Sequence, residues 1–233
     1  MKKYKAIFLD WDDTIGDFHH AELHALRDIY EKYNLTKLYP TFEGYYNEYH
    51  PYNLMLWDKY GQSLITKDEL HLERFYHPIS KQLFADSDFT DYDAKCMGKD
   101  FSALTLEYFS CLPDAEQVVR YLFSKYSLTI VSNGFIEQQY EKIRRSGLAD
   151  CFNHVVLSEE VGVQKPNADI FFYALGLDNL RSDEVLMIGD GWSSDIQGAK
   201  NAGIDQMWIH ESEEKEKQAT YRVSCLREIM SVL

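Results

Sequence analysis

Asp10 and Asp12 lie one residue apart, directly after the apolar run Ala6-Ile7-Phe8-Leu9. Two carboxylates on a turn can point into one pocket. One can attack as a nucleophile or ligate a cation while the other moves protons. Three further apolar runs end on polar groups of complementary chemistry. Leu128 to Val131 runs into Ser132 and Asn133, and His154 to Leu157 precedes the loop that carries Lys165. Glu184 to Ile188 runs into Gly189 and Asp190, with Asp195 five residues on. Carboxylates, a hydroxyl, an amide and one ammonium form the inventory for moving a phosphoryl group. A carboxylate attacking a phosphate is one anion approaching another. Unit charges ~4 Å apart repel by about 4 kcal/mol at an effective dielectric near 20. Left uncompensated, that slows attack about a thousandfold. Lys165 and a divalent cation are the natural compensators. Oxygen-only ligands from Asp10, Asp190 and a backbone carbonyl favour magnesium over zinc.

The elements that must position these groups follow from the alternation of short apolar runs with helical periodicity. Strands are predicted at 6–9, 128–131, 154–157, 184–188 and 205–209, with helices at 114–126, 135–146, 167–175 and 193–202. Gly147 suits the residue just past a helix end. Such alternation predicts an α/β, Rossmann-like, doubly wound parallel sheet. Ligands of these sheets bind outside the carboxyl ends of the strands. Between the first and second strands the signal turns helical, at 19–34, 41–60, 66–84 and 89–111, with Gly98 a candidate break. Aromatic residues crowd positions 30–60 and read mainly as the core of a separate helical unit. The chain therefore divides into a core, 1–16 and 111–233, and an inserted all-helical cap, 17–110. Glu211 to Lys217 reads as a solvated loop, and 221–233 as a short strand or loop with a terminal helix.

Composition narrows the partners. The formal net charge is −14. Nucleic acid and anionic membrane surfaces should repel such a chain, while a bound cation still admits a small phosphate ester. The apolar run after Lys2-Lys3 is too short for a signal peptide. No run approaches the ~20 apolar residues of a membrane helix. The four cysteines, widely spaced and without a CxxC pair, suit reduced thiols in a cytoplasmic protein. His20 and His24 share a helix face, but no third ligand accompanies them, and they read as surface or packing residues.

Taken in order, Asp10-Trp11-Asp12-Asp13-Thr14, Val131-Ser132-Asn133-Gly134, Lys165-Pro166 and Gly189-Asp190 with Asp195 resemble the four motifs of the haloacid dehalogenase-like hydrolase superfamily, most members of which are phosphatases. The resemblance spans the whole chain. It implies that Asp10 attacks phosphorus and that Asp12 protonates the leaving oxygen and then activates water. It implies that Thr14, Ser132, Asn133 and Lys165 hold the phosphate. Magnesium would be bound by Asp10, the Asp12 carbonyl and Asp190, with Asp195 ligating or supporting; a helix-start role for Asp195 is compatible with this. The dehalogenases of the superfamily lack the second carboxylate, so Asp12 argues for a phosphoester. A closer resemblance rests on Asp13, Ile15, Asp17 and Phe18, on Ser132 to Phe135, and on Ser158 to Asn167. These stretches are similar to the pyrimidine 5′-nucleotidases and imply a pyrimidine nucleoside 5′-monophosphate as substrate. Many superfamily members have glycine where this chain has Asp13. A cap of this kind is expected to close over the site, excluding water and selecting substrate. Rival readings are a sugar-phosphate phosphatase or a phosphoglucomutase-like enzyme on the same core, and a regulatory module that has lost turnover.

Overall fold

A computed structural model describes residues 4–82, 89–211 and 217–233. The chain forms two compact units, Met1–Asp17 with Ser110–Leu233, and Phe18–Phe109.

The first unit is built on six parallel strands: β1 (Ala6–Leu9), β2 (Ser127–Ser132), β3 (His154–Leu157), β4 (Val185–Gly189), β5 (Asp205–Ile209) and β6 (Tyr221–Val223). Their order is β3-β2-β1-β4-β5-β6. The chain steps outward from β1 to β3 and then returns to β4 on the other side of β1. That reversal places a topological switch point beside the carboxyl end of β1, where α/β sheets open a crevice. Leu9 pairs with Ile130 on one side and Ile188 on the other, so Asp10, Ser132 and Asp190 all emerge from one edge. All four residues of β1 and all five of β4 are buried. Burial on both faces is why these strands read as unbroken apolar runs rather than alternating ones. One face packs Phe8, Val131 and Met187 against Ile170, Phe171 and Ala199.

The second unit consists of α1 (Phe18–Lys32), α2 (Phe42–Gly61), α3 (Lys67–Ser80) and α4 (Asp91–Glu107). Its core is aromatic: Tyr45, Tyr49 and Phe75 are fully buried, with Tyr30, Tyr39, Phe42 and Phe101 around them. A Thr66–Glu69 capping box starts α3, so two donors of its first turn are satisfied reciprocally. α4 runs through Gly98 without a break. One interior glycine costs a helix only about 1 kcal/mol, and the flanking Ala94, Met97 and Phe101 are buried, which more than offsets that cost. The expected helix at 66–84 ends at Ser80, and its last two positions lie outside the described residues, as do 212–216 of the expected 211–217 loop.

The remaining helices belong to the first unit: α5 (Ala115–Phe123), α6 (Ile136–Arg145), the single turn α7 (Ser158–Val161), α8 (Ala168–Leu177), α9 (Gln197–Asn201) and α10 (Ile229–Val232). Gly147 follows α6 with φ 70°, the left-handed end that the sequence predicts. The expected helix at 193–202 divides into a π-helical turn, Trp192–Ile196, and α9. None of the described helices is long and apolar enough to cross a membrane.

Candidate active site

β1 delivers Asp10 into a tight loop. The Trp11 carbonyl accepts from the amides of Thr14, Ile15 and Gly16, and Asp13 takes a left-handed φ of 58°. Asp residues tolerate that conformation better than most, which accounts for Asp13 standing where glycine is common.

Lys165, in the loop between α7 and α8, ties the residue after β1 to the π-helical turn that follows β4. Its Nζ donates to Asp10 Oδ1 and to Asp195 Oδ1, each at 2.6 Å. All three residues are buried: Lys165 is 2% exposed, Asp195 1% and Asp10 8%. An ammonium has three protons, so one remains for a further acceptor. Asp10, Asp190 and Asp195 each bring a carboxylate oxygen within 4.8 Å of the others. Three carboxylates around one ammonium leave an excess of negative charge. Burial and the neighbouring Asp195 carboxylate push Asp10 up to about 7, against the pull of Lys165. Burial and Asp10 raise Asp190 to about 7 as well. Burial raises Asp195, which Lys165 opposes. Burial pulls the Lys165 ammonium down, but the Asp10 and Asp195 carboxylates outweigh it and hold the lysine above its usual range. The cluster thus has the donor set of a hard divalent cation, oxygen only and carboxylate-rich, and a charge deficit that such a cation would relieve.

The supporting contacts explain how the cluster holds its shape. Gly191 N donates to Asp195 Oδ2 at 3.0 Å, and Trp208 Nε1 donates to the Asp190 carbonyl at 2.7 Å. A Cβ on Gly189 would lie 2.4 Å from Asp195 Oδ2, so only glycine lets that carboxylate lie against the end of β4.

Ser132 ends β2 with its Oγ accepting from Gly134 N at 3.1 Å and from Gln139 Nε2 at 2.7 Å. A hydroxyl has two acceptor positions and one proton. Both acceptor positions are occupied, so what Ser132 has left to offer is a donor, which suits an anionic oxygen.

Two side chains of the expected phosphate set have partners within the protein. The Thr14 hydroxyl, expected on phosphate, donates to Asp190 Oδ1 at 3.1 Å and accepts from Asp190 N at 3.1 Å. The Asn133 side chain, also expected on phosphate, closes a pair of bonds with the Lys165 peptide: Nδ2 donates to the Lys165 carbonyl and Oδ1 accepts from its amide, both at 2.9 Å. Each side chain satisfies the backbone of a neighbouring motif, and so holds Asp190 or Lys165 in place.

Asp12 stands apart from the Lys165 cluster. Its Oδ1 accepts from Lys142 Nζ at 2.7 Å and its Oδ2 from Gln139 Nε2 at 2.9 Å. Sequence reasoning passed over both partners. Their signal is faint but present: Gln139, Lys142 and Ile143 form the buried stripe of α6, so two polar residues occupy positions where a helix normally faces the core. The start of α6 is itself anchored, since Ile136 N donates to Glu159 Oε2 at 2.9 Å. This gives Glu159 a role in setting α6.

The family model for haloacid dehalogenase-like hydrolases matches residues 4–203. The pyrimidine 5′-nucleotidase YjjG of Escherichia coli is 32% identical over 99% of this chain and 98% of its own. The glyceraldehyde 3-phosphate phosphatase of Pyrococcus abyssi is 32% identical over 88% of this chain and 81% of its own. Among solved structures, the magnesium-bound HAD-hydrolase YfnB of Bacillus subtilis superposes with a TM-score of 0.84 over 99% of both chains at 28% identity. A match of this length, on a parallel sheet whose strand ends bring these carboxylates and this lysine together, means that the chain belongs to the haloacid dehalogenase-like hydrolase family and is one of its phosphoric monoester hydrolases.

Proposed function

We propose that this hydrolase is a 5′-nucleotidase that removes phosphate from a pyrimidine nucleoside monophosphate through an aspartyl-phosphate on Asp10. The observation that carries the chemistry is Lys165, buried and bridging Asp10 and Asp195 at 2.6 Å beside Asp190. A buried ammonium with a proton to spare, next to a carboxylate, suits an incoming phosphoryl group. Asp10 attacks phosphorus, and the P–O bond to the alcohol breaks. Asp12 gives its proton to the departing oxygen. Asp12, now ionised, takes a proton from water as the water oxygen attacks phosphorus and the Asp10–phosphorus bond breaks. Ser132 and Lys165 supply donors to the phosphoryl oxygens. Thr14 and Asn133 act through Asp190 and Lys165.

Asp10, the Asp12 carbonyl, Asp190 and Asp195 are the residues that would hold Mg2+, as ligands or as support. When bound, the ion supplies positive charge that offsets the approach of carboxylate to phosphate. The magnesium reported for the YfnB structure supports this. The unit made of the ends of the chain is the catalytic core, and residues 17–110 are the cap that selects substrate. The nucleotide reading draws support from the similarity to YjjG along nearly the full length of both chains.

A second reading, a sugar- or triose-phosphate phosphatase, is favoured by the equal identity to the Pyrococcus abyssi enzyme. A panel of UMP, dUMP, dTMP, AMP and glyceraldehyde 3-phosphate, assayed by phosphate release with magnesium and with chelator, separates the two. The pyrimidine nucleotides should lead in kcat/KM by about tenfold or more. A lead for glyceraldehyde 3-phosphate would overturn the substrate assignment and leave the chemistry standing. Asp10→Asn should abolish turnover on every ester with the fold intact; substantial residual activity would refute the aspartyl-phosphate.

A further inference from the structure

A lysine 4% exposed, on the core face of a helix, has given up its water. Such an ammonium needs a carboxylate, and here it finds Asp12, 130 residues earlier in the chain. The pair is unequal. The Lys142 side chain is 5% exposed and that of Asp12 is 27% exposed. Burying a cation to grip a carboxylate that water can reach is a poor route to stability. It is a good way to aim that carboxylate. Gln139, wholly buried one turn earlier, completes the grip: one amide proton goes to Asp12 Oδ2 and the other to Ser132 Oγ.

Both oxygens of Asp12 are therefore held by donors from one face of α6, at i and i+3. The first turn of that helix is anchored to Glu159. The grip also depends on the end of β2, where a Cβ on Gly134 would lie 2.1 Å from Gln139 Nε2. Without these partners, an aspartate on a solvent-reached turn would swing between rotamers.

We propose that Lys142 and Gln139 are positioning residues that aim the Asp12 carboxylate for proton transfer. They touch neither phosphate nor leaving group; Lys142 acts through Asp12, and Gln139 through Asp12 and Ser132. The proposal rests on the assignment of Asp12 as the acid and base of the reaction.

Two esters distinguish positioning from mere scaffolding. The alkyl ester is the faster of dUMP and glyceraldehyde 3-phosphate, whose alcohol cannot leave without a proton. The aryl ester is 4-nitrophenyl phosphate, whose phenolate leaves unaided. kcat/KM covers steps only through departure of the leaving group. Lys142→Met should lower kcat/KM on the alkyl ester about 10- to 100-fold, the cost of misplacing a reacting group by roughly 1 Å. On the aryl ester it should hold kcat/KM within about threefold, which also reports that the variant is folded. Gln139→Leu, which also releases Ser132 Oγ, should add a loss common to both esters to a larger loss on the alkyl ester. Lys142→Arg, which keeps a donor, should restore the alkyl activity. In an Asp12→Ala background, Lys142→Met should change kcat/KM no further.

For Lys142→Met, equal losses on the two esters, no loss on the alkyl ester, or an undiminished loss in the Asp12→Ala background would each overturn the positioning role. If Asp12→Ala itself lost equally on both esters, the acid role of Asp12 would fall first, and the positioning role with it.

Discussion

Replacing Lys165 by methionine keeps most of the side-chain volume and removes the cation between Asp10 and Asp195. Each contact of 2.6 Å corresponds to ~6 kcal/mol of attraction at an effective dielectric near 20. Desolvation of the buried ammonium takes back several kcal/mol. Removing one partner of a buried ion pair leaves uncompensated charge and typically costs about 3–5 kcal/mol. In a chain of this size each 1 kcal/mol moves Tm by about 2–4 °C, so the variant should melt roughly 6–20 °C below the parent near pH 8. The deficit should shrink toward about pH 5 for a definite reason. Loss of Lys165 removes the influence that lowers the Asp10 and Asp195 carboxyls, so in the variant both hold their protons to higher pH than in the parent. A group whose folded-state value is raised contributes stability that is present at low pH and lost as pH rises through that value. The variant should therefore lose stability more steeply than the parent as pH rises. Thermal unfolding in chelator across about pH 5 to 8 measures both slopes. A deficit under about 1 kcal/mol at the alkaline end, or one that narrows with rising pH, would refute the account of Lys165 as the counter-charge of the cluster.

The parent protein should show the same physics without a mutation. Asp10, raised to about 7 by burial and the Asp195 carboxylate, and Asp190, raised to about 7 by burial and Asp10, bind protons in the folded state that the unfolded chain has already released. In chelator, Tm should fall as pH rises through about 7, and magnesium should raise Tm more above that pH than below it. A magnesium effect that does not vary with pH would contradict a site built on these carboxylates. Gly134→Ala would place a Cβ 2.1 Å from Gln139 Nε2. It should cost about 1–3 kcal/mol by overpacking and lower kcat/KM on alkyl esters through the displaced Gln139. A variant with parental stability and activity would show that Gln139 has room to move.

Much of the fold was legible because buried parallel strands have a distinct local signature. Ala6–Leu9 and Val185–Gly189 are apolar at every position or end in glycine, and the polar residues after them mark where the chain leaves the sheet. Asp10, Ser132, Lys165, Asp190 and Asp195 could be found in this way, since a strand end is a local feature and all parallel strands present theirs at one edge. The inserted helical unit was legible from its periodicity and its aromatic residues. The fine structure of the strand ends was less so. The π-helical turn at Trp192–Ile196 replaces what periodicity reads as helix, because five residues are too few to tell one turn period from the other.

The order of functional groups along the chain, and the kind of chemistry they support, were decided by the sequence alone. Which group satisfies which was decided only by tertiary structure. Thr14 meets Asp190 across 176 residues, Asn133 meets Lys165 across 32, and Gln139 and Lys142 meet Asp12 across 127 and 130. Most buried polar atoms find a partner. Periodicity reveals that such an atom is buried, but the partner is whatever the sheet order and helix packing bring within hydrogen-bond reach. That is why the pairing of Thr14 with Asp190 and of Asn133 with Lys165 emerged only in the folded chain, and the grip on Asp12 only once β1, β2 and α6 stood side by side.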